Sequence, residues 1–210
     1  MKNKKTVGVI TGDLVNSSVL NSEQKNLIQS ELERFTVHRP EILLPLQFYR
    51  GDSFQLMCIP EKAAWLAVMI QAITLSTVKT LAWMSIGIGT ASKITPGNVL
   101  QSDGEAFLLS GRQMDKMKDE GRLMKIAIVS PQFQSILAAT FYLAESIIWS
   151  WKPGQASVIS AIPGSKTQKE IAEKLTITEA AVSKALKSSK WPAIEGFLKG
   201  YEETLKKILS

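Results

Sequence analysis

Two aspartates carry the first chemical suggestion in this chain. Asp13 ends the run Val7-Gly8-Val9-Ile10-Thr11-Gly12-Asp13-Leu14, and Asp52 lies in Phe48-Tyr49-Arg50-Gly51-Asp52-Ser53-Phe54. The first run reads as a central strand, being nearly continuously apolar. The second reads as a tight hairpin. Leu43 to Arg50 has strand character, Gly51-Asp52 is the turn signal, and Phe54, Leu56 and Cys58 alternate on the return strand. If the two strands are neighbours, two carboxylates meet at one sheet edge. That is the minimum set for holding a divalent metal against a triphosphate. Each aspartate also has a structural reading, since Asp is a common turn residue.

The elements that must position this pair follow in order. A helix opens at Asn21-Ser22-Glu23 and runs to about Arg34, with Leu27, Ile28, Leu32 and Phe35 as its apolar stripe. Pro40 and Pro45 bracket a connection into the hairpin. Pro60-Glu61 starts a second helix that is apolar on most sides, and Leu81 to Thr90 is a fourth strand. Strand, helix, strand, strand, helix, strand is the split βαβ, or ferredoxin-like, order, in which the first strand lies beside the hairpin. Ser92 to Asp103 reads as a polar loop, Gly104 to Lys118 as a helix stopped by Gly121, and Leu123 to Val129 as a further strand.

From Pro131 the pattern is purely helical, so the expected division is residues 1–130 and residues 131–210. A helical run to Ile162 breaks at Lys152-Pro153-Gly154, with Trp149 and Trp151 as core anchors at the junction. Thr167-Gln168-Lys169-Glu170 is a capping box opening a short helix to Leu175, with Ile171, Ala172 and Leu175 inward. After Thr176-Ile177-Thr178, a second short helix runs from Glu179 to Lys187, with Ala181, Val182, Ala185 and Leu186 inward. Trp191-Pro192 ends it, and an amphipathic helix spans Ile194 to Leu209. Two short helices on such a turn predict a helix-turn-helix. With Thr178 at its start, the second helix offers Ser183, Lys184, Lys187 and Ser188 to a DNA backbone or base edges.

Composition narrows the classes. One cysteine, Cys58, excludes an intramolecular disulfide, and with one histidine, His38, it cannot build a Cys/His zinc cluster. Cys58 alternates with core residues, and His38 stands in a loop. The most apolar stretch, Ala63 to Trp83, contains Gln71, Thr74, Ser76, Thr77 and Lys79, too polar for a bilayer span. The basic start is followed by a strand pattern and by no cleavage site, so the expected location is cytoplasmic, without membrane contact. The net charge of +6 is concentrated late: from Lys152 onward there are 10 Lys, no Arg and 6 acidic residues, a balance of +4. That points to an acidic partner for the final third.

Four motifs in order resemble the palm domain of class III nucleotide cyclases: Asp13-Leu14-Val15-Asn16-Ser17, Gly51-Asp52-Ser53-Phe54, Ser85-Ile86-Gly87-Ile88-Gly89, and Gly104-Glu105-Ala106-Phe107-Leu108-Leu109-Ser110-Gly111-Arg112. The resemblance implies Mg²⁺ or Mn²⁺ at Asp13, Leu14 and Asp52. It implies a nucleoside triphosphate near Asn16, Ser17, Gly51 and Arg112, with Arg112 in the catalytic role if the protein is an enzyme. It also implies a homodimer, because such palms act head to tail. Two family positions depart: the transition-state Asn falls on Leu108 and the base-reading residue on Phe48. A site that binds without cyclising is then expected. The C-terminal part resembles sigma-factor region four, and the whole chain resembles the SatD family, through the Thr11-Gly12-Asp13 start, the Gly51-Asp52 hairpin and the Trp151 to Trp191 stretch. The expectation is an α+β protein, a ferredoxin-like (βαββαβ) cyclase-type palm followed by an all-α helix-turn-helix domain. Its expected function is DNA-binding transcription regulation, with a palm that binds nucleotide or mediates dimerisation. A metal-dependent nucleotidyl cyclase or transferase, and a protein-interaction module without DNA binding, are the alternatives.

Overall fold

The structure is a computed structural model that describes residues 5–117 and 119–209. It is a mixed α/β fold with a largely antiparallel sheet and many helices. The chain runs β1 (Thr6–Leu14), α1 (Ser22–Thr36), β2 (Ile42–Tyr49), β3 (Ser53–Cys58), α2 (Ala63–Val78), β4 (Ala82–Thr95), β5 (Asn98–Gly104), α3 (Glu105–Met117) and β6 (Met124–Ile128). Five more helices follow: α4 (Pro131–Ile148), α5 (Pro153–Ala161), α6 (Gln168–Leu175), α7 (Glu179–Ser188) and α8 (Trp191–Leu209). The strand order is β2-β3-β1-β4, with β5 on the distal half of β4 and β6 parallel to its proximal half. β1 is antiparallel to both β3 and β4, so it is the central strand its unbroken apolar run predicts.

Side-chain alternation along β1 divides the core. Ile10 and Leu14 join Phe54, Leu56, Met84 and Ile86 beneath α1 and α2, whereas Val7 and Val9 join Met57, Val99, Ala106 and Phe107 on the α3 face. α2 buries 13 of its 16 residues, because α5 packs on its outer side while the sheet covers its inner side. The polar residues of this stretch are absorbed locally. Gln71 is buried, donates from Nε2 to the Ala82 carbonyl at 2.7 Å and accepts the Ala82 N–H at 2.9 Å.

Several expectations are corrected. Ser92 to Asp103 is not a loop. β4 continues to Thr95, turns at Pro96-Gly97 with Gly97 at φ 69°, and returns as β5. The strand signal is weak there because one face is solvated and only Val99 of that return strand's apolar residues is buried. Pro45 lies inside β2 rather than before it, at a register irregularity on an edge strand, where a missing N–H is tolerated. Trp191-Pro192 opens α8 rather than ending α7, Pro192 standing in the first turn. Leu27, Ala181 and Trp149 face solvent instead of the core, whereas Trp151 is buried as expected. Lys118, the expected end of α3, lies outside the described residues, as do residues 1–4.

Candidate functional site

The register brings the two aspartates to one end of the sheet. Asp13 pairs across the ladder with Ser53, and the Leu14 N–H donates to the Asp52 carbonyl at 3.3 Å. Arg50-Gly51-Asp52 forms the connection between Tyr49 and Ser53, with Arg50 at φ 54° and Gly51 at φ 88°. Gln29 of α1 steadies this tip by donating to the Gly51 carbonyl at 2.8 Å. The carboxylates have different hydroxyl partners. Ser53 Oγ donates to Asp13 Oδ1 at 3.2 Å, and Ser17 Oγ donates to Asp52 Oδ2. Asp13 is buried, and Asp52 is half-buried.

Asp13 belongs to a polar strip on the α3 face of the sheet. Thr11 shares a 2.9 Å hydrogen bond with Ser110 of α3 and accepts from Gln55 Nε2 at 2.9 Å. Tyr49 pairs with Ser53 and so shares that face. Burial, then the Asp13 carboxylate, hold the Tyr49 phenol above its ordinary value; Asp115 adds to this and Arg50 opposes it. The intervening Gly12 is filled from the other face, where an added Cβ would stand 2.2 Å from the Phe54 ring.

The remaining expected residues divide. Ser17 reaches Asp52; Asn16 is exposed in the left-handed region at φ 51°, and Leu14 is buried, leaving only its backbone carbonyl for a metal. Arg112 and Leu108 are exposed on α3, turned away from the sheet-facing row of Ser110 and Met114. Phe48, partly buried, packs against Phe54 with ring centroids 5.6 Å apart. Among the described residues no third His, Cys, Asp or Glu joins the pair in a metal-holding group. Two carboxylates suit a hard divalent ion that takes its other ligands from phosphate oxygens and water, not a self-contained protein cage.

The second cluster is on α6 and α7. Thr167 accepts the Glu170 N–H at 3.2 Å as N-cap, but the Glu170 carboxylate accepts from the Lys166 N–H at 2.7 Å, so the reciprocal half of the capping box is shifted by one residue. α6 ends at Thr176, in the left-handed region at φ 54°, with the Ile177 N–H returning to the Ala172 carbonyl at 3.0 Å. Thr178 then caps α7 through the Ala181 N–H at 3.2 Å. Val182 is the one buried residue of α7, packed with Ile171, Ala172, Val158 and Ala161. Ser183, Lys184 and Lys187 face solvent, while Ser188 accepts from Gln155 Nε2 at 2.9 Å. A cleft of about 730 Å³ opens between α7 and the starts of α6 and α8, lined by Lys166, Ser183, Lys187 and Lys190, with Glu195 its acidic residue. Lys166 and Lys190 are new to this face. Nothing in linear spacing unites them, because packing of three helix ends does so.

Residues 7–199 match the model of the SatD family. The chain belongs to the SatD family. No curated protein matches this SatD chain. Two solved structures of a bacterial light-regulated adenylyl cyclase are similar to part of it, each at 12% identity and a TM-score of 0.41. The match covers 58% of the SatD chain and 42% of the cyclase chain, so it spans less than half of that protein. No helix among the described residues of the SatD protein is long and apolar enough to cross a membrane.

Proposed function

We propose that this SatD protein is a DNA-binding transcriptional regulator, with a ferredoxin-like palm of β1–β4, α1 and α2 followed by a helix-turn-helix made of α6 and α7. One observation carries the reading. α7 buries only Val182, has no acidic residue after Glu179 in its first turn, and turns Ser183, Lys184 and Lys187 outward beside a cleft that adds Lys166 and Lys190. An exposed helix with small residues, hydroxyls and lysines can approach a duplex closely, and its cations neutralise phosphates. Ser183 and Lys184 are the residues placed for base edges or backbone; Lys187, Lys166 and Lys190 follow the phosphates. Thr178 acts first as a cap, and Ser188 through its bond to Gln155.

The palm is read as a nucleotide sensor, which the meeting of Asp13 and Asp52 at one sheet end supports. The two carboxylates would hold Mg²⁺ or Mn²⁺, which supplies charge neutralisation for a triphosphate, and Ser17 and Ser53 orient the carboxylates. A cyclase or transferase is the weaker reading, because Leu108 faces solvent and Phe48, partly buried, packs against Phe54.

The test is fluorescence anisotropy on mixed-sequence double-stranded oligonucleotides across a salt series. Lys184→Ala/Lys187→Ala is expected to weaken binding and to reduce the slope of log affinity against log salt by about 2. Unchanged affinity and slope would remove α7 as the DNA face and leave it a protein-interaction surface. Repeating the titration with each ribonucleoside triphosphate and Mg²⁺ or Mn²⁺, for the native chain and Asp13→Ala/Asp52→Ala, tests the sensor. A nucleotide effect that persists in the double variant refutes the carboxylate site, and product formation makes the palm an enzyme.

A further inference from the structure

The cleft beside α7 has two layers of opposite character. Its floor is apolar: Ile171 and Trp191 are buried, and Ile162 and Leu186 are half-buried. Its rim is cationic. Lys166, Lys187 and Lys190 are exposed there, and Glu195 is the one carboxylate among the lining residues, a balance of +2. Among the described residues none of these three lysines is in an ion pair, whereas Lys62, Lys125 and Lys206 each hold a glutamate. Thr167 and Gln168 at the start of α6, and Pro192 and Ala193 at the start of α8, also line the cleft. The partial positive charge of two helix ends therefore reinforces the lysines.

A duplex offers this surface phosphates and sugars, which match the lysine rim and leave the apolar floor unused. An occupant that uses both layers is small, anionic at one end and apolar at the other. The cleft volume of about 730 Å³ lies within the usual range for small-molecule pockets, roughly 300–1,000 Å³. A mostly apolar wall with a few convergent polar groups is their usual make-up. Charge narrows the anion. A rim balance of +2 suits a phosphate monoester, which carries about −1.5 to −2 near neutral pH.

We propose that this cleft binds a small phosphate monoester with a flat apolar body, the phosphate among Lys166, Lys187 and Lys190 and the body on the floor of Ile162, Leu186 and Trp191. Occupancy neutralises the lysines assigned above to DNA phosphates, so ligand and duplex exclude each other, each weakening the other by the same factor. That regulatory consequence rests on the DNA reading; the site itself does not.

Isothermal titration calorimetry of the full chain tests the site, with 1-naphthyl phosphate as probe and 1-naphthol and inorganic phosphate as its two halves. A chelator keeps metal from Asp13 and Asp52, and circular dichroism checks folding. 1-Naphthyl phosphate is expected to bind at least about ten-fold more tightly than either half, because only it meets both layers. Lys166→Ala/Lys190→Ala is expected to weaken it about ten-fold. Lys169→Ala/Lys174→Ala removes the same charge from α6 outside the cleft and is expected to leave binding unchanged. Affinity no better than that of the halves overturns the proposal. So does binding that survives Lys166→Ala/Lys190→Ala, or that both double variants weaken equally. Adding 1-naphthyl phosphate to the DNA titration separates the two readings. Binding of the probe by these lysines without any duplex binding sinks the DNA reading and leaves the site. Duplex binding through α7 without probe binding does the reverse.

Discussion

At the scale of single residues, the Thr11-Gly12-Asp13 run is three different solutions in three consecutive positions. Thr11 hydrogen-bonds Ser110 and Gln55, Gly12 receives the Phe54 ring, and Asp13 accepts from Ser53 and faces Tyr49 electrostatically. The last contact has a pH consequence. The Tyr49 phenol is raised above 10.0 by burial first and the Asp13 carboxylate second. The stability this group contributes is complete below the unfolded value and is lost as pH rises through the higher folded value. Asp13→Asn removes the second cause only, so the phenol is expected to move down toward 10.0 without reaching it. Alkaline absorbance titration, taken as the difference from Tyr49→Phe, reads this directly. An unmoved transition would mean that Asp13 does not face the phenol.

Among the elements, the seating of α3 on the sheet decides where the polar strip lies. α3 approaches β4 so closely at Gly87 that an added Cβ would stand 2.1 Å from the Ala106 carbonyl oxygen and 2.7 Å from the Ser110 nitrogen. Both are backbone atoms, so the helix itself must move. Gly87→Ala is expected to cost about 3 kcal/mol in urea unfolding. Gly111 on the same helix has open space around its Cβ position, and Gly111→Ala is expected to gain about 1 kcal/mol from helix propensity. Equal effects of the two substitutions would contradict the close seating. The β4–β5 hairpin belongs to this scale as well. Its polar residues lower the strand signal, and its pairing rests on the ladder and on Val99 beneath it.

For the whole molecule, one hydrophobic cluster runs through the expected boundary at residues 130 and 131. It contains Ile10, Leu56 and Met84 from the sheet, α2 almost entirely, and Trp151, Ile159, Trp191, Ile194, Tyr201 and Leu205 from the helical third. Buried hydrogen bonds tie the two parts and the helical third to itself: Tyr201 Oη donates to the Pro60 carbonyl at 2.8 Å, and Trp151 Nε1 to the Ser189 carbonyl at 2.9 Å. A shared core of this kind unfolds as one unit. Tryptophan fluorescence, circular dichroism and thiol labelling of Cys58 are expected to report one coincident urea transition. Cys58 is a suitable probe because it is fully buried and burial pushes its thiol far above the ordinary value, so it reacts only when the core opens. Two separated transitions would show that the helical third folds as its own unit.

The sequence by itself determined the elements whose signal is local. Apolar runs and turn residues locate β1, the β2–β3 hairpin and α2. Thr167 and Thr178 locate the starts of α6 and α7, because a cap acts within one turn of its own helix. The neighbouring positions of Asp13 and Asp52 were legible through strand order, since the expected place of β1 beside the hairpin is the one it takes beside β3. Tertiary structure decided what depends on distant partners. Tyr49 was missed beside Asp13 because only the ladder puts them on one face. Lys166 and Lys190 were missed because three helix ends converge to form their cleft. Leu27 and Ala181 were read as inward because periodicity reports an apolar row without saying whether anything in the chain covers it. Whether a surface is covered depends on packing between elements far apart in sequence, and no local pattern contains that information.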